Sequence, residues 1–329
     1  MKRIRLGRTE VEVPVVSVGT WGHSGPRRVR RHPVGWSGQD DEGARSALLL
    51  AWESGLDHWD TADAYGEGHA EQLIGSLWNT VPRGEIFLAS KVGWVKGSTE
   101  HGYAPEQIRR QIDGSLERLR TETIDLFYLH HCDFGPDDRY LEGAVEVLRE
   151  YQAAGSIRWL GLSDWDSGKV ANYARTVEPD VVQVYRSVLN DSYRASGLAD
   201  WVDANDAGVC FFSPLQHGLL LGGYDRPPEF ERGDHRSRRP EFQDVELLAR
   251  LRRCREAVLA RFPQRPQALL DVLIASVVTD VPTACALVGM RQQRHAAAAA
   301  EIDIRFTAAE IDWVRRIYRG ASDPEVGSQ

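Results

Sequence analysis

Short β-branched and aromatic runs alternate with amphipathic segments along nearly the whole chain. Eight runs have strand character: "VPVVSVGTW", "HWDTAD", "IFLASKVGW", "IDLFYLHHC", "IRWLGLSDW", "VVQVYRSVL", "GVCFFSPL" and "ACALVGM". The segments between them carry helical spacing. In "PEQIRRQIDGSLERLRTE", Ile108, Ile112, Leu116 and Leu119 recur at one-turn intervals. In "LEGAVEVLREYQAAG", Leu141, Val145 and Leu148 do the same, and Gly155 supplies the stop. "ARSALLLAWESGLD" is a third such helix, ended by Gly55. Pro105 stands near the start of its helix, where a missing N–H costs least.

About eight strand–helix alternations predict a parallel (β/α)8 barrel, a fold of roughly 250 residues. The 329-residue chain is therefore expected to form one domain over 1–329, with an N-terminal extension. The polar Pro/Gly/Arg stretch 222–242 is expected as a long loop over the barrel mouth after strand seven. "TAAEIDWVRRIYRG" is expected as an added C-terminal helix, and the "AAAAA" run as helix rather than linker. A doubly wound sheet would carry a glycine-rich phosphate turn after a strand. "GEGHAE" lacks the third glycine and its context, so the barrel is favoured.

Composition narrows the partners. A net charge of −8 argues against nucleic acid or an anionic membrane surface, and the arginines fall in short runs such as "RRVRRH" at 27–32. No apolar run approaches the ~20 residues of a membrane span. "MKRIRLGRTEVEVP" lacks the apolar stretch of a signal peptide, so a cytosolic location is expected. Cys132, Cys210, Cys254 and Cys285 show no CxxC spacing, which suits reduced, buried thiols better than disulfides or a zinc knuckle. No face is conspicuously apolar, so the oligomeric state is not legible.

In a parallel barrel the functional groups project from the C-terminal strand ends. Those ends carry Asp60 with Tyr65 in the following loop, then Lys91, His130, Ser163 with Asp164, Gln183, and Phe212–Ser213–Pro214. An acid, a phenol, an amine and an imidazole at one mouth suit proton delivery to a carbonyl during hydride transfer. Tyrosine ordinarily titrates near ~10; a neighbouring ammonium is expected to lower that value, and a carboxylate to keep the ammonium charged. Only four lysines occur (Lys2, Lys91, Lys96 and Lys169), so a lysine in "LASKVGW" stands out against the arginines. Each residue also has a plainer reading: Asp60 as a turn cap, Tyr65 as a half-buried aromatic. His130, His131, Cys132 and Asp133 are adjacent on a strand, point to alternate faces and are not expected to share a metal ion.

These motifs resemble the aldo-keto reductase superfamily. "DTADAYGEGHAEQLIG", "LASKVGW", "IDLFYLHHCD" and "FFSPLQHGLL" occur in order, and the likeness spans "LGRTEVEVPVVSVGTW" to "LVGMRQQRHAAAAAEI". The resemblance implies a (β/α)8 barrel binding NADP(H) in an extended pose and reducing a small-molecule carbonyl. It implies a tetrad of Asp60, Tyr65, Lys91 and His130, with Tyr65 as general acid and no metal. It places Thr20 and Trp21 at the nicotinamide end, Ser163, Asp164 and Gln183 on the carboxamide, and Phe212 stacked on the ring. Ser213, Pro214, Leu215 and Gly218 match its pyrophosphate loop, and Gly289 with Arg291 its 2′-phosphate site. Four positions depart from the pattern: Asp164 replaces the usual asparagine, Gly223 a common lysine, and His295 and Ala299 the usual adenine contacts. The superfamily also contains potassium-channel β subunits, so a redox sensor with little turnover is the competing expectation. A metal-dependent hydrolase would require an HxH pair ending strand one, where only His23 follows.

Overall fold

Each of the eight apolar runs forms a parallel strand in a computed structural model that describes residues 1–25, 28–29, 32–33 and 35–322. Arg27, Arg30 and Arg31 of the basic run lie outside the described residues. The strands are β1 (Val16–Gly19), β2 (His58–Asp60), β3 (Phe87–Val92), β4 (Ile124–Leu129), β5 (Ile157–Asp164), β6 (Val181–Tyr185), β7 (Gly208–Phe212) and β8 (Ala284–Gly289). They pair in sequence order, and β8 closes on β1 through Ala286↔Val16 to Gly289↔Gly19. The predicted helices appear as Asp41–Glu53, Pro105–Leu119 and Leu141–Ala153. Burying strands on both faces requires the continuous apolar runs seen in the sequence; β3 and β4 are buried at every position.

The extension, the long loop and the added helix are all present. Arg3–Arg5 and Glu12–Pro14 form an antiparallel hairpin at the barrel floor. Its turn presses on the start of β7, since a Cβ on Gly7 (φ +54°) would meet Gly208 N at 2.2 Å. The C-terminal helix is Ala308–Ser322, packed with Val245–Arg261 and Ala268–Val278 around a second apolar cluster that includes Leu251, Val258, Val314 and Tyr318. That cluster anchors the far end of the 222–242 loop through Phe242.

One interior glycine shapes what lies beneath the site. A Cβ on Gly161 would fall 2.1 Å from Tyr128 Cδ1. Tyr128 is fully buried and its ring lies 5.9 Å from Lys91 Nζ. Gly161→Ala must displace that ring, and we expect a destabilisation of roughly 1–3 kcal/mol, measured as a lower urea midpoint with an unchanged slope.

Candidate active site

The polar run after β2 is shaped by backbone bonds before any side chain is considered. Thr20 donates both its N–H (3.0 Å) and its Oγ1 hydroxyl (2.9 Å) to the Asp60 carbonyl, tying the ends of β1 and β2 together. Thr61 N–H and Asp63 N–H continue onto the carbonyls of Ala89 and Lys91, so the chain stays beside β3. It then turns through Gly66 and Gly68, both at positive φ. The helix His69–Gly75 is pinned to β3 by Glu71, which accepts from Ser90 Oγ (2.6 Å) and Arg118 Nε (2.7 Å). This anchored turn carries Tyr65 over Lys91.

Lys91 is wholly buried. Its ammonium donates to Asp60 Oδ1 at 2.5 Å and to the Thr61 carbonyl at 2.6 Å, and its third contact is the Tyr65 hydroxyl at 3.4 Å. Three partners use all three of its donors. Gln183 donates its amide to Asp60 Oδ2 at 2.8 Å, so both carboxylate oxygens are held. His130 stands edge-on to the Tyr65 ring at 5.8 Å, and its backbone N–H donates to the Val92 carbonyl. Its Nδ1 is buried with no hydrogen-bond partner among the described residues. Trp21 stacks on Tyr65 at 6.4 Å, and exposed Trp94 lies 6.1 Å from His130. Four groups from three strand ends and one loop thus meet at one point.

Burial sets the charge states. It would push the Lys91 ammonium down, but Asp60 and Tyr65 outweigh it and leave Lys91 above its ordinary value. Burial pushes the Tyr65 phenol above 10, and Lys91 pulls it back without cancelling the rise. Burial, with the charge of Lys91, also drives His130 well below 6.5. At neutral pH the site holds a neutral phenol, a charged ammonium and a neutral imidazole. Lys91 pulls Tyr65 down as expected, and burial, which the sequence does not show, pushes the other way.

The residues expected around a cofactor fall along the same mouth. Ser163 is buried at the end of β5. Asp164 accepts from Cys132 N–H (2.7 Å) and Asp166 N–H (2.8 Å), one on each oxygen. A carboxylate there braces the loops after β4 and β5, a double acceptance that one asparagine oxygen would have to share. Phe212 is half-buried, packed edge-on against Trp165 at 4.7 Å. Beyond it, Ser213, Gln216 and His217 all adopt positive φ, as does Gly218, while Pro214 is buried and Leu215 half-buried. Within this turn Gln216 N–H and Gly218 N–H close onto the Ser213 and Leu215 carbonyls, each at 3.0 Å. Gly289 has open space around it. Arg291 is already engaged: it donates to the Ser37 carbonyl at 2.7 Å and lies 5.1 Å over the Trp36 ring. His130 to Asp133 follow the end of β4 at Leu129 and do not alternate along a strand as expected; His131 turns to the Gly93 carbonyl and Cys132 to that of Ser163.

Several residues at the mouth carry no signal in the sequence. Asp234 in the long loop accepts from the N–H and hydroxyl of Ser37 at 3.1 and 2.8 Å, clasping the loop after β1. His235 then packs 4.4 Å from both Trp21 and Trp36. His217 bonds Arg239 at 2.7 Å through Nε2. Burial lowers His235 to about 4 and His217 well below 6.5, so both rings are neutral. The 222–242 stretch does lie over the mouth, held there by a clasp between two loops remote in sequence.

The fold and this tetrad define a class. The sequence profile of the aldo/keto reductase family matches residues 16–319, so the chain belongs to that family and is an oxidoreductase of the kind that uses a nicotinamide cofactor. It is 29% identical over 261 residues to the NADH-specific methylglyoxal reductase of Escherichia coli (strain K12), covering 75% of this chain and 77% of that protein. It is 32% identical over 214 residues to a Schizosaccharomyces pombe aldo-keto reductase named for NADP(+), covering 63% and 62% respectively. In fold it resembles the glycerol dehydrogenase AKR11B4 of Gluconobacter oxydans, with a TM-score of 0.79, 22% identity, and coverage of 98% and 97%.

Proposed function

We propose that the protein reduces an aldehyde or ketone to the alcohol, reversibly, with NADP(H) as cofactor and Tyr65 as the proton donor. The observation that carries this reading is the buried Lys91 ammonium, 2.5 Å from Asp60 and 3.4 Å from the Tyr65 hydroxyl. NADP(H), when bound, supplies the hydride. Tyr65 gives its phenolic proton to the substrate oxygen, and Lys91 stabilises the phenolate that results. Neutral His130 hydrogen-bonds the same oxygen and keeps it in line with Tyr65. Trp21 and Trp94 wall the substrate off from water.

The residues present suit a dinucleotide. In this reading the pyrophosphate lies against the left-handed turn from Ser213 to Gly218, and Phe212 offers a ring face for the nicotinamide. Thr20, Ser163, Asp164 and Gln183 line the carboxamide end in this reading, with Gln183 also orienting Asp60. Arg291 favours the 2′-phosphate of NADP(H), because guanidinium binds a dianion bidentately. Arg291→Gln is therefore expected to raise KM for NADPH about 10-fold more than KM for NADH, the loss of one charge-assisted pair; equal changes would remove that preference. The functional test is oxidation of NADPH and NADH by purified protein across a panel of small aldehydes and ketones, methylglyoxal included. Turnover supports the reductase. Tightly copurified NADP(H) with no turnover on any carbonyl would point to a sensor instead.

A further inference from the structure

Below Asp60 the barrel interior holds a second group of reactive side chains that carbonyl reduction does not use. His58 opens β2, Ser17 lies in β1, Cys210 in β7 and Cys285 in β8, and all four are fully buried. Cys210 and Cys285 are directly opposed across β7 and β8, with their sulfurs 3.5 Å apart. His58 Nδ1 lies 3.8 Å from Cys285 Sγ and 3.0 Å from Ser17 Oγ. The Tyr128 hydroxyl reaches Cys210 Sγ at 3.4 Å. Both sulfurs and the imidazole nitrogen fall within 4.8 Å of one another, the one such group among the described residues.

Barrel interiors are ordinarily filled with branched apolar side chains. Cysteine can serve there as a small hydrophobe, but that role does not require two thiols to converge on an imidazole. The donor set is selective: two sulfurs and one imidazole suit zinc(II) or copper(I) and not magnesium, calcium or manganese. The spacing is near what an ion needs without matching it. Around a tetrahedral zinc with sulfur at about 2.3 Å and nitrogen at about 2.0 Å, two sulfurs lie roughly 3.8 Å apart and sulfur and nitrogen roughly 3.5 Å; here the sulfurs are 3.5 Å apart, Cys285 Sγ is 3.8 Å from His58 Nδ1 and all three atoms fall within 4.8 Å, so the ligands must readjust around the ion. Charge separates the two ions. Two thiolates and a neutral imidazole cancel the charge of zinc(II), whereas copper(I) would leave a net negative charge in an apolar interior.

We propose that His58, Cys210 and Cys285 form a buried structural site for zinc(II), with Tyr128 or Ser17 oxygen at the fourth position, tying β2 to β7 and β8 beneath the active site. Both thiols lose their protons to solvent as the ion binds. The cluster is enclosed on all sides, so the ion enters as the chain folds.

The test uses full-length protein without a polyhistidine tag, expressed with zinc supplied and assayed by elemental mass spectrometry. About one zinc per chain is expected, falling to less than about a tenth in Cys210→Ser and Cys285→Ser. One copper per chain with the same dependence on both cysteines would keep the site and change the ion. Since a serine variant could misfold, wild-type protein is also unfolded with chelator and refolded with or without zinc. A higher melting temperature with zinc is expected. Zinc and copper both below about a tenth per chain after expression and after refolding, or metal content unchanged in the serine variants, would overturn the site. Tyr65→Phe should retain its metal in full, so this result is independent of the reductase reading.

Discussion

Tyr65→Phe turns over carbonyl substrates about 10²- to 10⁴-fold more slowly than wild type, the range that a positioned general acid contributes. The expectation rests on what the change leaves alone. Phenylalanine retains the ring that Trp21 stacks on and that stands against His130. Lys91 keeps Asp60 and the Thr61 carbonyl and loses only its longest contact, at 3.4 Å. Cofactor affinity, followed by quenching of tryptophan fluorescence, and the melting temperature should therefore stay near wild type. A fall in kcat with unchanged cofactor affinity identifies a group that acts at the transition state. A fall in both would assign Tyr65 to packing.

Lys91→Met loses activity and stability together. Methionine fills much of the lysine volume but removes the ammonium, leaving the carboxylate of Asp60, almost wholly buried, held by the Gln183 amide. Removing one member of a buried ion pair typically costs about 3–5 kcal/mol, because the other charge remains uncompensated. The double variant Lys91→Met/Asp60→Asn removes that charge and should recover most of the stability, measured by denaturant unfolding. Activity should not return, since Tyr65 still lacks the cation that stabilises its phenolate. Recovery of both would mean that Lys91 serves the fold alone.

These two residues also mark how far the sequence could be read. Asp60, Lys91 and His130 were legible because each ends a strand run, and a parallel barrel brings all strand ends to one mouth. Tyr65 followed from the turn after β2. The sign of its shift did not, because burial depends on everything packed above it, including Trp21. Gln183 was read as a carboxamide contact, and the hold its amide NH2 also takes on Asp60 was not read. The Asp234–Ser37 clasp joins positions 197 residues apart, and no local pattern encodes it. Likewise, His58 and Cys285 are 227 residues apart and Cys210 and Cys285 75. Motif spacing searches for local ligand pairs, whereas a closed barrel makes neighbours of its first and last strands.

The most direct measurement of the proton-donor assignment is the pH dependence of single-turnover rates in both directions. Reduction requires the phenol, and the folded state holds Tyr65 above its ordinary value of 10. Reduction should therefore be level from pH 6 to about 9 and decline only in the alkaline range of a tyrosine or beyond. Oxidation of the alcohol requires the phenolate and should climb about tenfold per pH unit without levelling in that window. A reduction rate that already falls between pH 6 and 8 would contradict the account, because it would assign the proton to an imidazole.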